Sequence, residues 1–297
     1  MKKSNKKFIA ILMMFALAAG LSAKSKTIIK KIKRQVISTE VKDISSIVVL
    51  SKAAAEILLE MNAQDLITAV SESADVFAED EGKAIILDGE EDLENILSYK
   101  PDLVFLTDGK HRALEDALDE RNIEWYKLYP TSIDELKEEI FEMGEMLGLE
   151  TEALSVVTRM EENLEEVKKA VQEYYQTESL DHPLAVYYEE SDDPLSTIGS
   201  RCFMHEIITG AGARNVFDII NAANCTVSSE QVIDRSPEVI LIPSANGTTI
   251  EEVKEREGWQ DIPAVKNGRI YIIDSAQYGI YSPSCAQSIY DLFELLK

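Results

Sequence analysis

The chain has 297 residues, 45% of them hydrophobic, enough for one large globular domain or two of ordinary size and too apolar for a disordered tail. Its formal net charge is −24, unevenly spread: residues 1–42 hold eleven Lys or Arg against one acid, Glu40, a net of +10 that leaves −34 on the remainder. A body that acidic is repelled by phosphate backbones, which argues against a nucleic-acid partner.

The start of the chain reads as an export signal. Lys2, Lys3, Lys6 and Lys7 form a basic region, residues 8–21 an apolar run too short to span a bilayer comfortably, and small residues follow up to Ala23. Residues 1–23 are therefore expected to be a signal peptide cleaved near Ala23, with an uncleaved anchor as the alternative. No Cys sits at that junction, so a lipid anchor is not supported, and a periplasmic location follows. Residues 24–43 form a basic leading segment.

From there the pattern is regular. Residues 47–50 (Ile-Val-Val-Leu) read as a buried strand, Ser51 as an N-cap, and residues 53–61 as the helix it opens. Strands are expected at 66–70, 84–87, 103–106 and 125–128, and helices at 93–98, 113–121 and 133–147. Strands separated by helices at this spacing predict a parallel α/β sheet covered on both faces. Residues 150–176 then contain no Gly and no Pro, with Leu154, Val157, Met160, Leu164, Val167, Val171 and Tyr174 at steps of three or four. That is one long helix with one apolar face, either crossing a single domain or bridging two. After Pro183 the same order restarts: strand 184–188, loop 192–194, residues 197–200 leading into helix 203–209, helix 230–233, strand 239–242, a helix start at 251–257, strand 269–273 and helix 285–296.

The restart includes a repeat. Residues 94–106 (ENILSYKPDLVFL) align without a gap on residues 230–242 (EQVIDRSPEVILI), with Glu, Pro, the acid after Pro and six apolar positions in register. One copy lies on each side of the long helix, which favours the bridge. The domains are thus expected at 44–147 and 181–297, with the bridging helix in 148–180.

No catalytic constellation presents itself. There is no Gly-x-Ser-x-Gly elbow, no phosphate loop and no His-Glu-x-x-His. Gly210-Ala211-Gly212 follows a helix and reads as its end. The acids Asp192-Asp193 and Glu90-Glu91-Asp92 read as solvated loops. Cys202, Cys225 and Cys285 fit no metal spacing; export permits one disulfide, and buried or unpaired thiols are the simpler reading. His111, His182 and His205 are too scattered for a zinc site. No enzyme activity, resident metal or cofactor is expected.

Two such lobes offer a cleft instead, with the ligand outside the carboxyl ends of the strands. The loops that follow strands supply the candidates: Ser51, Lys52, Glu90, Lys110, His111, Tyr187, Tyr188, Ser200, Arg201, Tyr278 and Tyr281. Phenols and cations together suit a large, flat or anionic ligand, and a Tyr can ligate haem iron.

From Ile44 to Lys297 the chain resembles the iron-chelate, haem and cobalamin class of substrate-binding proteins that serve ABC importers. The resemblance lies in Ile47 to Ser51 with Ala55-Glu56-Ile57-Leu58, in Asp92-Leu93-Glu94 through Val104, and in Thr197-x-Gly199 with Phe203-Met204-His205-Glu206. It continues in Ser229-Glu230-Gln231-Val232 and in Gly258-Trp259-Gln260 with the run from Pro263 to Arg269. It implies two Rossmann-like lobes with parallel sheets joined by one long α-helix, a ligand held between them, and one glutamate per lobe, Glu94 and Glu230, docking on permease arginines. It implies a structural His205. An aromatic residue common near Gly89 is replaced by Glu90, and the loop 277–282 keeps tyrosines without an arginine, which places a ferric siderophore or haem ahead of cobalamin. The expected function is capture of an iron chelate and its delivery to an inner-membrane ABC permease by a monomeric chain. Alternatives are a cobalamin receptor of the same class, or a sensor or adhesion module on this fold without a permease.

Overall fold

The computed structural model describes residues 44–74, 76, 85–87, 93–107, 112–178, 182–279 and 281–297. Residues 1–43, expected to hold a signal peptide and a basic leading segment, and the candidates Glu90, Lys110 and His111 lie outside the described residues. The chain divides into two compact units, the first holding the residues up to Pro130, Asp134–Glu161 and Tyr281–Pro283, the second Thr131–Ile133, Glu162–Ile280 and Ser284–Lys297.

The first unit runs β1 (Ile47–Val49), α1 (Lys52–Glu60), β2 (Ile67–Ser71), β3 (Ile85–Leu87), α2 (Leu93–Ser98), β4 (Leu103–Thr107), α3 (Arg112–Asp119) and β5 (Glu124–Leu128). All five strands are parallel, in the order β3-β2-β1-β4-β5. β1 is aliphatic and β4 is apolar from Leu103 to Leu106, as strands buried on both faces are, and Val48, Leu50, Ala69, Ile96, Val104 and Leu106 share one core. The order reverses at β1, with β2 on one side and β4 on the other, so the switch point of the sheet lies between β1 and β4. There the Thr107 hydroxyl donates to the Leu50 carbonyl at 2.8 Å and ties the two carboxyl ends together.

Two helices follow, α4 (Ile133–Leu147) and α5 (Glu150–Glu178). Gly148 between them adopts φ 68°, the left-handed conformation that glycine enters without a Cβ clash. A Cβ on Gly144 would sit 2.5 Å from that of Ala153, so the two helices touch where both residues are small. The 29-residue α5 is unbroken, as its composition predicts, and the chain passes from the first unit to the second within it, after Glu161. Leu154, Val157, Met160, Val167 and Val171 of its apolar stripe are buried. No described helix is long and apolar enough to cross a membrane.

The second unit contains β6 (Ala185–Asp192), β7 (Leu195–Ile198), α6 (Phe203–Gly210), β8 (Arg214–Asn215), β9 (Asn224–Thr226), α7 (Ser229–Arg235), β10 (Val239–Pro243), α8 (Ile250–Glu255), α9 (Pro263–Lys266), β11 (Ile270–Ile273), α10 (Ser275–Tyr278) and α11 (Cys285–Leu296). The sheet order is β11-β10-β6-β7-β9, with β8 also paired to β6. β8, β10 and β11 continue the parallel sheet, whereas β7 and β9 are antiparallel. The expectation of purely parallel sheets is corrected here: Asp193 and Pro194 make a two-residue turn, and so short a connection joins only antiparallel neighbours.

The sequence repeat is a backbone repeat. α2 and α7 begin at equivalent positions, and β4 and β10 correspond along their whole length. Lys100 and Ser236, each just before the proline, both turn left-handed at φ 49° and 47°. The acid after each proline then caps the neighbouring central strand. Asp102 accepts the amides of Ser45 and Ser46 at 2.8 and 3.1 Å, and Glu238 accepts that of Ala185 at 2.9 Å.

Candidate ligand-binding site

At the carboxyl edge of the first sheet, Ser51 comes two residues after β1, and its hydroxyl accepts the Ala54 amide at 3.4 Å as the N-cap of α1. Ser51 is buried and committed to that cap, while Lys52, in the first turn, is half-buried. β5 is followed by Tyr129, 49% exposed, whose ring meets that of Tyr281 edge-on at 6.4 Å and 86°. Tyr281 is thus in an aromatic pair at this edge. Tyr129 was missed as a candidate although it directly follows an expected strand, the same signal that singled out the others.

The Tyr129 amide is held by both oxygens of Glu139 on α4, each at 3.2 Å, while the Tyr126 hydroxyl donates to Glu142 at 3.0 Å. Burial, partly opposed by the Tyr129 amide and reinforced by Glu142 and Glu135, pushes the Glu139 carboxyl up to about 7. A raised carboxyl favours the folded state while protonated, so its contribution is full below about 4.5 and is lost as pH rises through about 7. Glu139→Gln is therefore expected to flatten the fall in stability between pH 5 and 8, measured by urea unfolding at each pH. An unchanged slope would remove Glu139 as the cause.

In the second unit the structure corrects one candidate outright. Strand β6 was expected to end at position 188 and to release Tyr187 into a loop, but it continues to Asp192 because its carboxyl half pairs with β7. Tyr187 is consequently mid-strand and 0% exposed, its ring 6.1 Å from Phe217 and 6.0 Å from Trp259, with no surface left for a ligand. Its hydroxyl is buried with no hydrogen-bond partner among the described residues. Burial first, then the Glu189 carboxylate, pushes this phenol above its ordinary range. Tyr187→Phe keeps both ring contacts and removes the unpaired hydroxyl, so it should raise stability by about 1 kcal/mol in chemical denaturation; a loss would mean the hydroxyl has a partner in solution.

Tyr188, on the opposite face, is 8% exposed, and Tyr278, at the end of α10, 9%. Ser200 and Arg201 follow β7, which descends antiparallel to β6, so the rule for carboxyl ends of parallel strands does not apply to them. They belong instead to a close approach of two backbones: Gly199 and Arg201 donate to Ala223 and Ala222 carbonyls, and the amide and hydroxyl of Ser200 both donate to that of Ile220. Arg201 and Ile219 are exposed there. The carboxyl edge proper is formed by Glu189, by the turn 244–246 after β10, and by Ser275 after β11, whose hydroxyl accepts the Ala245 amide at 2.9 Å. Glu189, expected with Tyr187 and Tyr188 in a cleft-facing loop, is instead in the strand and 0% exposed, and it grips Arg256 through both terminal guanidinium nitrogens at 2.5 and 2.8 Å.

Trp259 is buried, its indole donating to Ser229 at 2.6 Å. The three cysteines are free thiols. Among the described residues no group of three His, Cys, Asp or Glu side chains is placed to hold a metal ion. Glu94 and Glu230 are both exposed second residues of their helices, α2 and α7. Hydrogen bonds from the Ser228 hydroxyl and from its own amide hold Glu230 below the usual carboxylate range.

A family model described as periplasmic binding protein matches residues 47–277, which take in both lobes and their carboxyl edges. The chain belongs to the periplasmic binding protein family. This periplasmic binding protein is 28% identical over 211 residues to an uncharacterised ABC transporter substrate-binding lipoprotein of Bacillus subtilis, YvrC, a match that covers 68% of this chain and 64% of that one. It thus spans just under two thirds of that relative's length. A vitamin B12-binding protein of Vibrio campbellii is 27% identical over 232 residues, 77% of this chain and 81% of its own. Among solved structures, a possible iron-binding, periplasmic solute-binding protein of Staphylococcus epidermidis superposes with a TM-score of 0.74 at 23% identity, covering 86% of this chain and 99% of that one. The periplasmic haem-binding protein RhuT of Roseiflexus superposes at 0.67 and 20% identity, covering 85% and 97%. At these identities the likeness shows the fold: two α/β lobes joined by one long helix.

Proposed function

We propose that this protein is an exported ABC-importer substrate-binding protein that captures an iron chelate, a ferric siderophore or haem, at the carboxyl edges of its sheets and hands it to an inner-membrane permease through Glu94 and Glu230. The observation that carries the ligand class is the Tyr129–Tyr281 pair, which offers an exposed aromatic surface at the first sheet's carboxyl edge. A flat, metal-bearing ring system or a catecholate stacks well on such a surface, and a phenol can reach ferric iron. Lys52, half-buried in the first turn of α1 at the same edge, supplies a cation for the carboxylates or phenolates that such chelates carry. Relatives named as ABC transporter substrate-binding proteins support the transport role.

A second reading, cobalamin, is favoured by relatives named vitamin B12-binding proteins. The two are separated by native mass spectrometry and an absorbance spectrum of the protein purified from its host, followed by titration with haemin, ferrichrome and cyanocobalamin. A Soret band or a ferric charge-transfer band is expected. A corrinoid spectrum would replace iron by cobalamin, and binding of none of the three would remove the ligand class altogether.

A further inference from the structure

We propose that Glu189 is a positioning residue for the ligand edge of the second lobe, holding the segment 244–256 through Asn246 at its start and Arg256 at its end. The proposal rests on the reading of that edge as ligand-binding. Pairing between β6 and β10 stops at Tyr188 with Leu241, and from Glu189 onward β6 pairs instead with β7 on its other side. The Glu189 carbonyl, left without a strand partner toward β10, is taken by the Asn246 side-chain amide at 3.0 Å. Asn246 is itself fixed by the Thr248 hydroxyl at 2.5 Å. The Glu189 carboxylate meanwhile receives the two-pronged Arg256 bond, and the Arg256 guanidinium lies 4.6 Å over the Trp259 ring. One residue of the central strand therefore fastens both ends of the segment that follows β10, with its backbone at one end and its side chain at the other. Ser275 adds a tie from the β11 side.

Stability alone does not account for this arrangement. A buried ion pair contributes little net stability compared with an apolar pair of the same shape, because desolvation of both charges offsets their attraction. What a planar fork on a buried carboxylate does supply is direction, two parallel bonds that fix one geometry. At the carboxyl end of β10, where ligands of open α/β sheets sit, a fixed direction is what a preformed wall needs.

The test is hydrogen exchange on the ligand-free full chain, comparing wild type with Arg256→Lys and Asn246→Ala, together with titration by haemin, ferrichrome and cyanocobalamin. Both variants should speed exchange of amides in 244–256 by about tenfold while residues 185–188 and 239–243 stay protected, a local opening rather than a global one. The dissociation constant of the probe that wild type binds should rise by a similar factor. Exchange that is unchanged in 244–256, or faster through the whole lobe, overturns the proposal, as does a freed segment with unaltered affinity. Wild-type protein that binds none of the probes counts against the ligand reading itself, and the exchange pattern then decides alone whether Glu189 holds the segment.

Discussion

Uptake of the transported ligand is expected to be lost, with its affinity for the purified protein unchanged, when Glu94 and Glu230 are both replaced by Ala. Each is an exposed acid in the first turn of a short helix that leads through a proline into a strand next to the central one, and the two helices are the two copies of one repeat. Acids are favoured at that position by the unpaired amides of the first turn, and Glu230 is held ionised by the Ser228 cap. Exposed and fixed on helices, they are suited to meet arginines of a membrane partner. Each single variant should weaken uptake, and the double variant should abolish it. The measurement is transport into cells or proteoliposomes beside a direct binding titration. An affinity that falls in step with uptake would mean that these residues serve the ligand and not the docking.

Gly199→Ala should destabilise the protein by about 1–3 kcal/mol, an overpacking cost that a single methyl seldom incurs on a surface loop. A Cβ at that position would stand 2.4 Å from both the Ile220 and the Ala222 carbonyl oxygens, which are backbone atoms and cannot rotate away. The new methyl would push the segment 220–223 from its bonds to Gly199, Ser200 and Arg201. Gly247→Ala is the control. Nothing lies within 4 Å of its Cβ position, and only its φ of 84° resists the change, a cost of about 1 kcal/mol. If the two variants melted alike, the crossing of backbones at Gly199 would have no energetic weight.

Where apolar periodicity meets Gly or Pro punctuation, the sequence locates the elements closely. The helices at 133–147 and 285–296 fall at the expected residues, and the proline-led strands at 103 and 239 begin where they were placed. β6 was cut short because Glu189, Glu190, Ser191 and Asp192 read as loop by composition. In the molecule this polar stretch is one arm of a hairpin, paired with β7, in which Glu189 is buried and only the residues after it reach solvent. Tyr187 was misplaced for that reason alone. The Glu189–Arg256 pair spans 67 positions of chain; the end of an expected strand marks Glu189, but no local pattern marks Arg256 as its partner, and only the fold brings them together. Tyr129 was legible, since it follows a strand as the other candidates do. Ser51 shows the opposite limit, for a residue at the right edge can be consumed by the helix it caps.

The carboxylates that follow Pro101 and Pro237 have a bearing on how the chain finds its fold. Each closes a ring of backbone more than fifty residues long, Asp102 back to Ser45 and Glu238 back to Ala185. Closing such a ring costs conformational entropy that rises only slowly with its length, so the two rings oppose folding by nearly equal amounts. The helix, left-handed turn and strand that carry each acid are contiguous in the chain and can form before the ring shuts. Each lobe thus carries its own clasp, built to one pattern, which ties the start of its central strand to a proline turn far along the chain.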